Sequence, residues 1–405
     1  MYIEASSPRQ PGDNAKLYSP PLKFFGNMCL QFYYHMSGAT TESLKVNVSG
    51  NLVFFARGDK GGMWRKACVN VSAMEGLHRV TFEGVVGSSY TGDIAIDDFS
   101  LTAGSCPCAS WSFTTNGQGR SGSIQTFTVP KTTRYRITAW GARGGTHSTN
   151  YGSYPGTYYG GKGAYKEGTF TLNKGTVLNI VVGQRGGDSV EVKGGQSTTL
   201  TAAQLGLSVE DNAGTGGGGG SFIYTTSNVL LLATGGGGGA SSGYNGVDGQ
   251  AGTSGTSSVG RYSSRVRSGG TGGNPGQCNS AGGNYHGGVG AGWLGQGCSR
   301  AGSQHGERGG SRAQGWVGGR AGRMNSGYNG GPPPGAVGGF GGGGGGAEDN
   351  GASGGGGGYS GGGSGTHPNQ AGGGGGSYCS GSNCSGVSGG NSNDKGLVKI
   401  VELSV

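Results

Sequence analysis

The stretch GGFGGGGGGAEDNGASGGGGGYSGGG, residues 338–363, decides how this 405-residue chain is read, because ordinary globular domains do not carry glycine so nearly uninterrupted. Shorter pure runs stand at 216–220, 235–239 and 372–376. Glycine loses more backbone entropy on ordering than any other residue, so such runs are either left loose or held by something that offsets the loss. With 101 glycines and 12 prolines, the composition falls among low-complexity chains. Two features oppose that reading. Charged residues make up only 12% and aromatics reach 9%, whereas a disordered polyelectrolyte has high charge and few aromatics.

The neighbours of the runs also oppose it. The runs at 216–220 and 235–239 bracket FIY (222–224) and VLLLA (229–233), two apolar strands joined by Thr-Thr-Ser-Asn. A run held at both ends by a sheet has already lost part of its freedom. Upstream lie IQTFTV (124–129), RYRITAWGARGG (134–145) and GAYKEGTFTLNKGTVLNIVVGQRGG (163–187). In these, Tyr135, Ile137 and Ala139 alternate with Arg136, Thr138 and Trp140, and residues 178–182 form a short buried-type run. Asn173-Lys174-Gly175 suits a hairpin turn. The closing segment GLVKIVELSV (396–405) is again a strand, whose natural place is beside an earlier strand of the same sheet. The expected fold is therefore all-β, with a glycine-rich domain over 107–405 whose strands lie at about 123–234 and 396–405. The glycine runs are an insertion, mainly at 235–390.

A chain of polyproline II type has three residues per turn and no internal hydrogen bonds, so it offers every N–H and C=O sideways. Where such a helix is surrounded on all sides, each position must be glycine. Bonds between helices would then offset the entropy, with Phe340, Tyr359, Trp293 and Trp316 capping or flanking the bundle.

Residues 1–106 are compositionally ordinary. Strands are expected at 29–36, 44–48, 52–56, 79–86 and 93–101, several of them alternating, which suits a sandwich of antiparallel sheets. Arg57-Gly58-Asp59 spells the tripeptide that integrins read, but it sits in a polar glycine-rich loop before Trp64, so a loop role is the simpler account. Asp93, Asp97 and Asp98 could gather around a cation but lack the spacing of an EF-hand loop, and turn and sheet hydrogen bonding is expected of them instead.

The eight cysteines and three glycosylation sequons, at Asn47, Asn70 and Asn383, favour an oxidising, extracellular or cell-surface setting. The economical local disulfides are Cys278 with Cys298 and Cys379 with Cys384, although spacing alone does not fix connectivity. No apolar run is long enough to span a membrane, and MYIEASSPRQPGD is no signal peptide. An extracellular chain that starts this way is expected to be a fragment, reaching a membrane only through segments absent here.

Two resemblances sharpen this. YIEASSPRQPGDNAKLYSP, CLQFYYHMSGATTESLKV, the loop before Trp64 and GSSYTGDIAIDDFSL resemble the last two thirds of a MAM domain, an extracellular β-sandwich module of adhesion and receptor proteins. That resemblance implies a Cys29–Cys106 disulfide and leaves Cys68 outside the family pattern. TFTVPKTTRYRITAWGARGG, GTFTLNKGTVLNIVVGQRG, GTGGGGGSFIY, LLLATGGGGGA and the runs near 340–363 resemble the glycine-rich domain of the anaplastic lymphoma kinase and leukocyte tyrosine kinase receptors. The second resemblance implies a tumour-necrosis-factor-like β-sandwich with an inserted bundle of glycine helices that helps to bind small helical cytokines. The chain holds none of the HRD, DFG or VAIK elements of a kinase, and Asp98-Phe99-Ser100 is not a DFG.

Other classes fit worse. Gly161-Lys162-Gly163 lacks the hydroxyl residue of a P-loop, and the six histidines show no metal spacing, so no catalytic residue, metal or cofactor is expected. The scattered basic residues and the spaced Arg143-Gly144-Gly145, Arg185-Gly186-Gly187 and Arg308-Gly309-Gly310 do not make a nucleic-acid binder. The inserts are irregular, against the fixed period of a silk-like matrix protein, which stays the main rival. The reading is a non-catalytic extracellular recognition module whose partner is a cytokine-like protein ligand or an adhesion partner, with ligand contacts unassigned.

Overall fold

The computed structural model describes residues 2–3, 6–104, 106, 109–149, 154–191, 208–210, 214–277, 286–299, 302–322, 336–347 and 351–403. These contain strands and two single-turn 3-10 helices but no α-helix. The chain divides into two compact units at about Ala109.

The first unit holds β1 (Tyr2–Ile3), β2 (Asn14–Tyr18), β3 (Leu22–Ser37), β4 (Ser43–Val48), β5 (Asn51–Arg57), β6 (Arg65–His78), β7 (Val80–Val85) and β8 (Asp93–Ala103). They form two four-stranded sheets, ordered β1-β8-β3-β6 and β2-β7-β4-β5. Alternation puts Leu44, Val46 and Val48 of β4 inside with Leu30, Phe32 and Met36 of β3, all fully buried. Phe32 anchors this core, meeting the edges of Phe54 and Phe82 with ring centroids 5.2 and 5.0 Å away. The longest pairing, β3 with β6, shifts register between Gly26 and Met28, where Gly26 has a φ of +65°.

The second unit continues with β9 (Ser110–Phe113), β10 (Gln125–Thr128), β11 (Thr133–Trp140), β12 (His147–Thr149), β13 (Gly156–Tyr158), β14 (Tyr165–Leu172), β15 (Val177–Val181), β16 (Ser189–Glu191), β17 (Ser208–Glu210), β18 (Ser221–Thr225), β19 (Leu230–Thr234), β20 (Val259–Gly260), β21 (Gln370–Ala371), β22 (Tyr378–Cys379), β23 (Ser382–Val387) and β24 (Leu397–Glu402). Two five-stranded sheets, β10-β15-β18-β19-β22 and β23-β14-β11-β24-β9, enclose one core. Tyr135 and Ile137 of β11, Leu178 and Ile180 of β15, Leu232 of β19, and Val398 and Ile400 of β24 are fully buried in it. The last strand lies beside β9 and β11, closing the sheet as its sequence implied.

One turn departs from expectation. Asn173-Lys174-Gly175 does not make a hairpin, since β14 and β15 belong to different sheets. Phe170 and Leu172 must face Leu178 and Ile180 across the core, so the strands oppose each other instead of pairing. The Thr-Thr-Ser-Asn turn does join a hairpin, β18 to β19.

The glycine runs leave the strand ends and hydrogen-bond run to run. Gly218 N–H donates to Gly237 O at 2.8 Å, Gly236 N–H to Gly357 O at 2.8 Å, and Gly357 N–H to Gly218 O at 2.9 Å, a closed triangle of three runs. On its other sides the run at 354–358 donates from Gly355 to Gly288 O and from Gly356 to Gly373 O, and accepts from Gly344 and Gly362. This is the sideways bonding that polyproline II helices offer when enclosed. A Cβ added at Gly354, Gly355, Gly356, Gly357 or Gly358 would lie 1.9 to 2.5 Å from the carbonyl oxygen of Gly344, Gly362, Gly236, Gly341 or Gly376, respectively. Each successive position meets a different neighbour, which is why the run is pure. The bundle also reaches beyond 235–390, for Gly141, Gly144, Gly161 and Gly183 are enclosed in the same way.

Two outcomes follow from this packing. Amide exchange at 354–358 should be slowed by at least about a hundredfold relative to unstructured glycine, because opening requires the sandwich-anchored bundle to separate. Random-coil rates there would mean that the runs are not bonded. Gly356→Ala, whose methyl would meet Gly236 O at 2.1 Å, should cost on the order of 3 kcal/mol or abolish folding. Gly252→Ala, with nothing within 4 Å, should be neutral within about 0.5 kcal/mol in the same denaturation assay.

Candidate functional site

The integrin-type tripeptide is built into its own loop. Arg57 ends β5 and its Nε lies 2.9 Å from Glu42 Oε1, while Gly58, at φ +73°, donates its N–H to Glu42 O. Asp59 Oδ1 accepts the N–H groups of Gly61 at 2.8 Å and Gly38 at 3.3 Å. Both charged side chains therefore brace the turn between β5 and β6, and the carboxylate serves backbone amides instead of a free apex.

The acidic trio does not converge either. Asp93 pairs with Ser37 and Asp97 with Tyr33 along β8, and Asp97 Oδ1 accepts the N–H of Asp98, which sits at φ +48°. Among the described residues no three metal-ligating side chains share a site.

Cys29 and Cys106 are joined, closing 77 residues, and Cys379 is joined to Cys384 across 5. In the chain-entropy model the first contributes about 4 kcal/mol and the second about 2 kcal/mol. Cys68, outside the family pattern, is disulfide-bonded as well, as is Cys298. Cys278 lies outside the described residues. Asn70 stands opposite Cys29 and its Oδ1 accepts the Cys106 N–H at 2.6 Å, so it pins the chain where the first bridge closes. Asn47 is half-buried on β4, and Asn383 is exposed on β23.

The three Arg-Gly-Gly triplets share one placement. Their glycines are enclosed, Gly144 against Gly238 O, Gly186 against Gly216 O and Gly309 against Gly342 O, while each arginine makes contacts at the rim. Arg185 Nη1 meets Asp188 Oδ2 at 2.7 Å and its Nε lies 3.4 Å from Asp394 Oδ2. Arg143 Nη1 lies 3.6 Å from Asp394 Oδ1, and its guanidinium lies over Tyr159. Arg308 Nη1 donates to Gly297 O at 2.6 Å. The triplets are bundle entries, with arginine satisfying carbonyl and carboxylate oxygens at the boundary.

The flanking aromatics form a second core. Trp316, fully buried at φ +65°, stacks on Phe222 with centroids 3.8 Å apart and donates Nε1–H to the Tyr224 hydroxyl at 3.3 Å. Phe340 is buried in the same cluster, Trp293 and Tyr359 pack on it, and the Arg312 guanidinium caps Trp293 at 4.4 Å. Sequence reasoning named Trp293, Trp316, Phe340 and Tyr359 as flanking groups and read Phe222 and Tyr224 as strand residues; it did not find Arg312, whose only signal was its closeness in sequence to Trp316. Beside them Leu294 is 67% exposed and Tyr359 stacks on Tyr378 at 4.7 Å.

The molecule so described is an all-β protein of two units, one of them a sandwich crosslinked by a long-range disulfide, with no catalytic constellation among its described residues. A family model for the MAM domain, meprin/A5/mu, matches residues 1–107. Those residues are a MAM domain, an extracellular protein-interaction module. MAM domain-containing glycosylphosphatidylinositol anchor protein 1 of Gallus gallus is 43% identical over 115 residues, covering 26% of this chain and 12% of the relative. Anchor protein 2 of Mus musculus is 37% identical over 122 residues, covering 26% and 13%. MAM and fibronectin type III domain-containing protein 1 of Acropora millepora is 50% identical over 76 residues, covering 19% and 17%. The chain thus spans about an eighth of the length of the first of these relatives. The setting is extracellular or cell-surface, and no helix among the described residues is long and apolar enough to cross a membrane.

One titration follows from the bundle. His286 is buried there, with His305 centred 4.3 Å away, and its Nδ1–H donates to Gly287 O. Burial, aided by the charge of Arg267, holds its imidazole below the ordinary value. Above pH of about 6.5 the group is neutral in both the folded and the unfolded chain and contributes no pH dependence. As pH falls below that, the unfolded chain takes up the proton first, so stability is lost toward the folded value. The unfolding free energy of the second unit, from denaturant titrations between pH 7.5 and 5.5, should fall by at most about 1.4 kcal/mol per pH unit from this residue. His286→Gln should remove that part of the slope, and an unchanged slope would contradict the assignment.

Proposed function

We propose that this chain is part of a receptor ectodomain in which the MAM domain precedes a glycine-rich receptor-type domain, residues 107–405, that binds a protein ligand without catalysis. The observation that carries the reading is the anchoring of the bundle. Glycine runs bonded to one another emerge from strand ends of a two-sheet sandwich, an arrangement with a fixed shape and no fixed repeat. Together with the sequence resemblance, this supports a tumour-necrosis-factor-like sandwich of the kind in the anaplastic lymphoma kinase and leukocyte tyrosine kinase receptors. The ligand is then a small helical, cytokine-like protein, met by the sandwich and its loops. The bundle is a rigid spacer, since enclosed glycine has no side chain to present.

The full chain, immobilised in its oxidised form, should bind at least one member of a panel of small helical secreted proteins saturably, with a Kd of about 1 µM or tighter. Substitutions in exposed loops of the second unit should weaken that binding. Absence of binding across the panel, with chain-coated beads clustering among themselves, would replace the receptor reading by that of a secreted glycine-rich matrix or adhesion protein.

A further inference from the structure

Two of the three sequon asparagines share a position that the third lacks. Asn70 lies on β6 and Asn383 on β23, and among the described residues each of these is the outermost strand of its sheet. Asn47 lies on β4, paired on both sides.

An outer strand presents unpaired N–H and C=O groups, and it commonly carries lysine, proline or a buried charge that discourages another chain from adding to it. These two strands are short of such guards. The central part of β6, residues 67–74 (ACVNVSAM), holds no charge and no proline, and β23 (SNCSGV) holds none along its whole length. All six residues of β23 are exposed. In both strands the sequon asparagine falls within the unguarded part.

The local geometry turns each amide outward. Asn70 is exposed and uses its Oδ1 to accept the Cys106 N–H at 2.6 Å, which directs the other branch, Nδ2, away from that contact. Asn383 sits in a bulge: pairing passes from Glu167 with Ser385 to Thr169 with Ser382, leaving Asn383 without a register partner at a φ of +50°. A bulge re-aims a side chain out of the ladder. The sequon hydroxyl of Ser385 meanwhile donates to Glu167 Oε1 at 3.2 Å, so the segment stays fixed to its neighbour strand.

We infer that Asn70 and Asn383 carry N-linked glycans and that these glycans guard the two outer sheet edges against strand addition by a second copy of the chain. The donor class is a lipid-linked oligosaccharide diphosphate. The side-chain Nδ2 forms a bond to C1 of the first sugar, the C1–O bond to the diphosphate breaks, the lipid diphosphate leaves, and the amide proton passes to a base of the transferase. A glycan on each strand is bulky, hydrated and without an ordered backbone ladder to offer, which is what an edge guard requires. The inference needs only the secretory setting and is independent of which ligand the chain binds.

The chain, passed through a eukaryotic secretory pathway that adds high-mannose glycans, is digested to peptides and released by an amidase in heavy-oxygen water. Asn70 and Asn383 should both be tagged as heavy aspartate, and an untagged residue at either position overturns the assignment. The guarding role is read separately on folded protein, by trimming the glycans to a single sugar and following sedimentation as concentration rises. Trimmed protein should self-associate about tenfold more tightly than the intact glycoprotein, with Asn70→Gln and Asn383→Gln each giving part of the change. An unchanged sedimentation profile after trimming overturns the edge role, and because trimming follows folding, a folding defect of either variant does not obscure that result.

Discussion

The structure of the second unit depends on the N–H to O=C bond between one glycine run and the next. Ordering each backbone residue costs roughly 1 to 2 kcal/mol, more for glycine, while a hydrogen bond returns a net of only about 0.5 to 1.5 kcal/mol. The bonds alone therefore do not order a free glycine chain. What shifts the balance is attachment: Gly141, Gly183, Gly220 and Gly235 follow or precede strands whose position the sandwich core already sets, so each run enters the bundle with its ends fixed. The aromatic cluster of Trp316, Phe222 and Phe340 closes one side of the bundle with apolar burial that glycine cannot supply.

Much of this was legible because the signals were local. Alternation in 134–140 and 396–403, the strands beside the glycine runs, and the MAM-like motifs all act within a few residues, and the strands lie where they point. What was not legible depended on long-range partners. Strand β6 escaped notice since RKACVNVSAMEGLH breaks its alternation with a bulge, a glycine and mixed polar residues, and its identity comes from pairing with β3. The turn at Asn173-Lys174-Gly175 carries hairpin chemistry, yet core demand separates its strands into two sheets. The enclosure of Gly141, Gly144 and Gly161 was not legible locally, because it depends on partners far along the chain, Gly235, Gly238 and Val247 respectively.

The candidate features separate in the same way. Arg57-Gly58-Asp59 and the Arg-Gly-Gly triplets look like recognition motifs when read as strings, and in the fold Arg57 meets Glu42, Asp59 accepts backbone N–H groups, Arg143 and Arg185 meet Asp394, Arg185 also meets Asp188, and Arg308 donates to Gly297 O. A motif whose side chains already have structural partners must lose those contacts before it meets a ligand. The cysteines carry the opposite lesson. Their chemistry does not depend on a surface, and the long Cys29–Cys106 closure constrains the unfolded chain far more than the short Cys379–Cys384 loop.

Enclosure also sets where side-chain chemistry can reside. Within the run at 354–358 an added methyl carbon would lie 1.9 to 2.5 Å from a carbonyl oxygen, so these positions admit no side chain, and the side chains the bundle does bury, such as Thr215, His286 and Ser353, stand outside the pure runs. Variety is confined to the places where the runs stop: the polar inserts, the rim arginines, the exposed Leu294 beside Trp293, and the loops of the sandwich. The runs are placed by backbone hydrogen bonds, and side-chain chemistry is left to the inserts and the rim residues. The absence of side chains in the runs is thus the condition that lets them pack this closely.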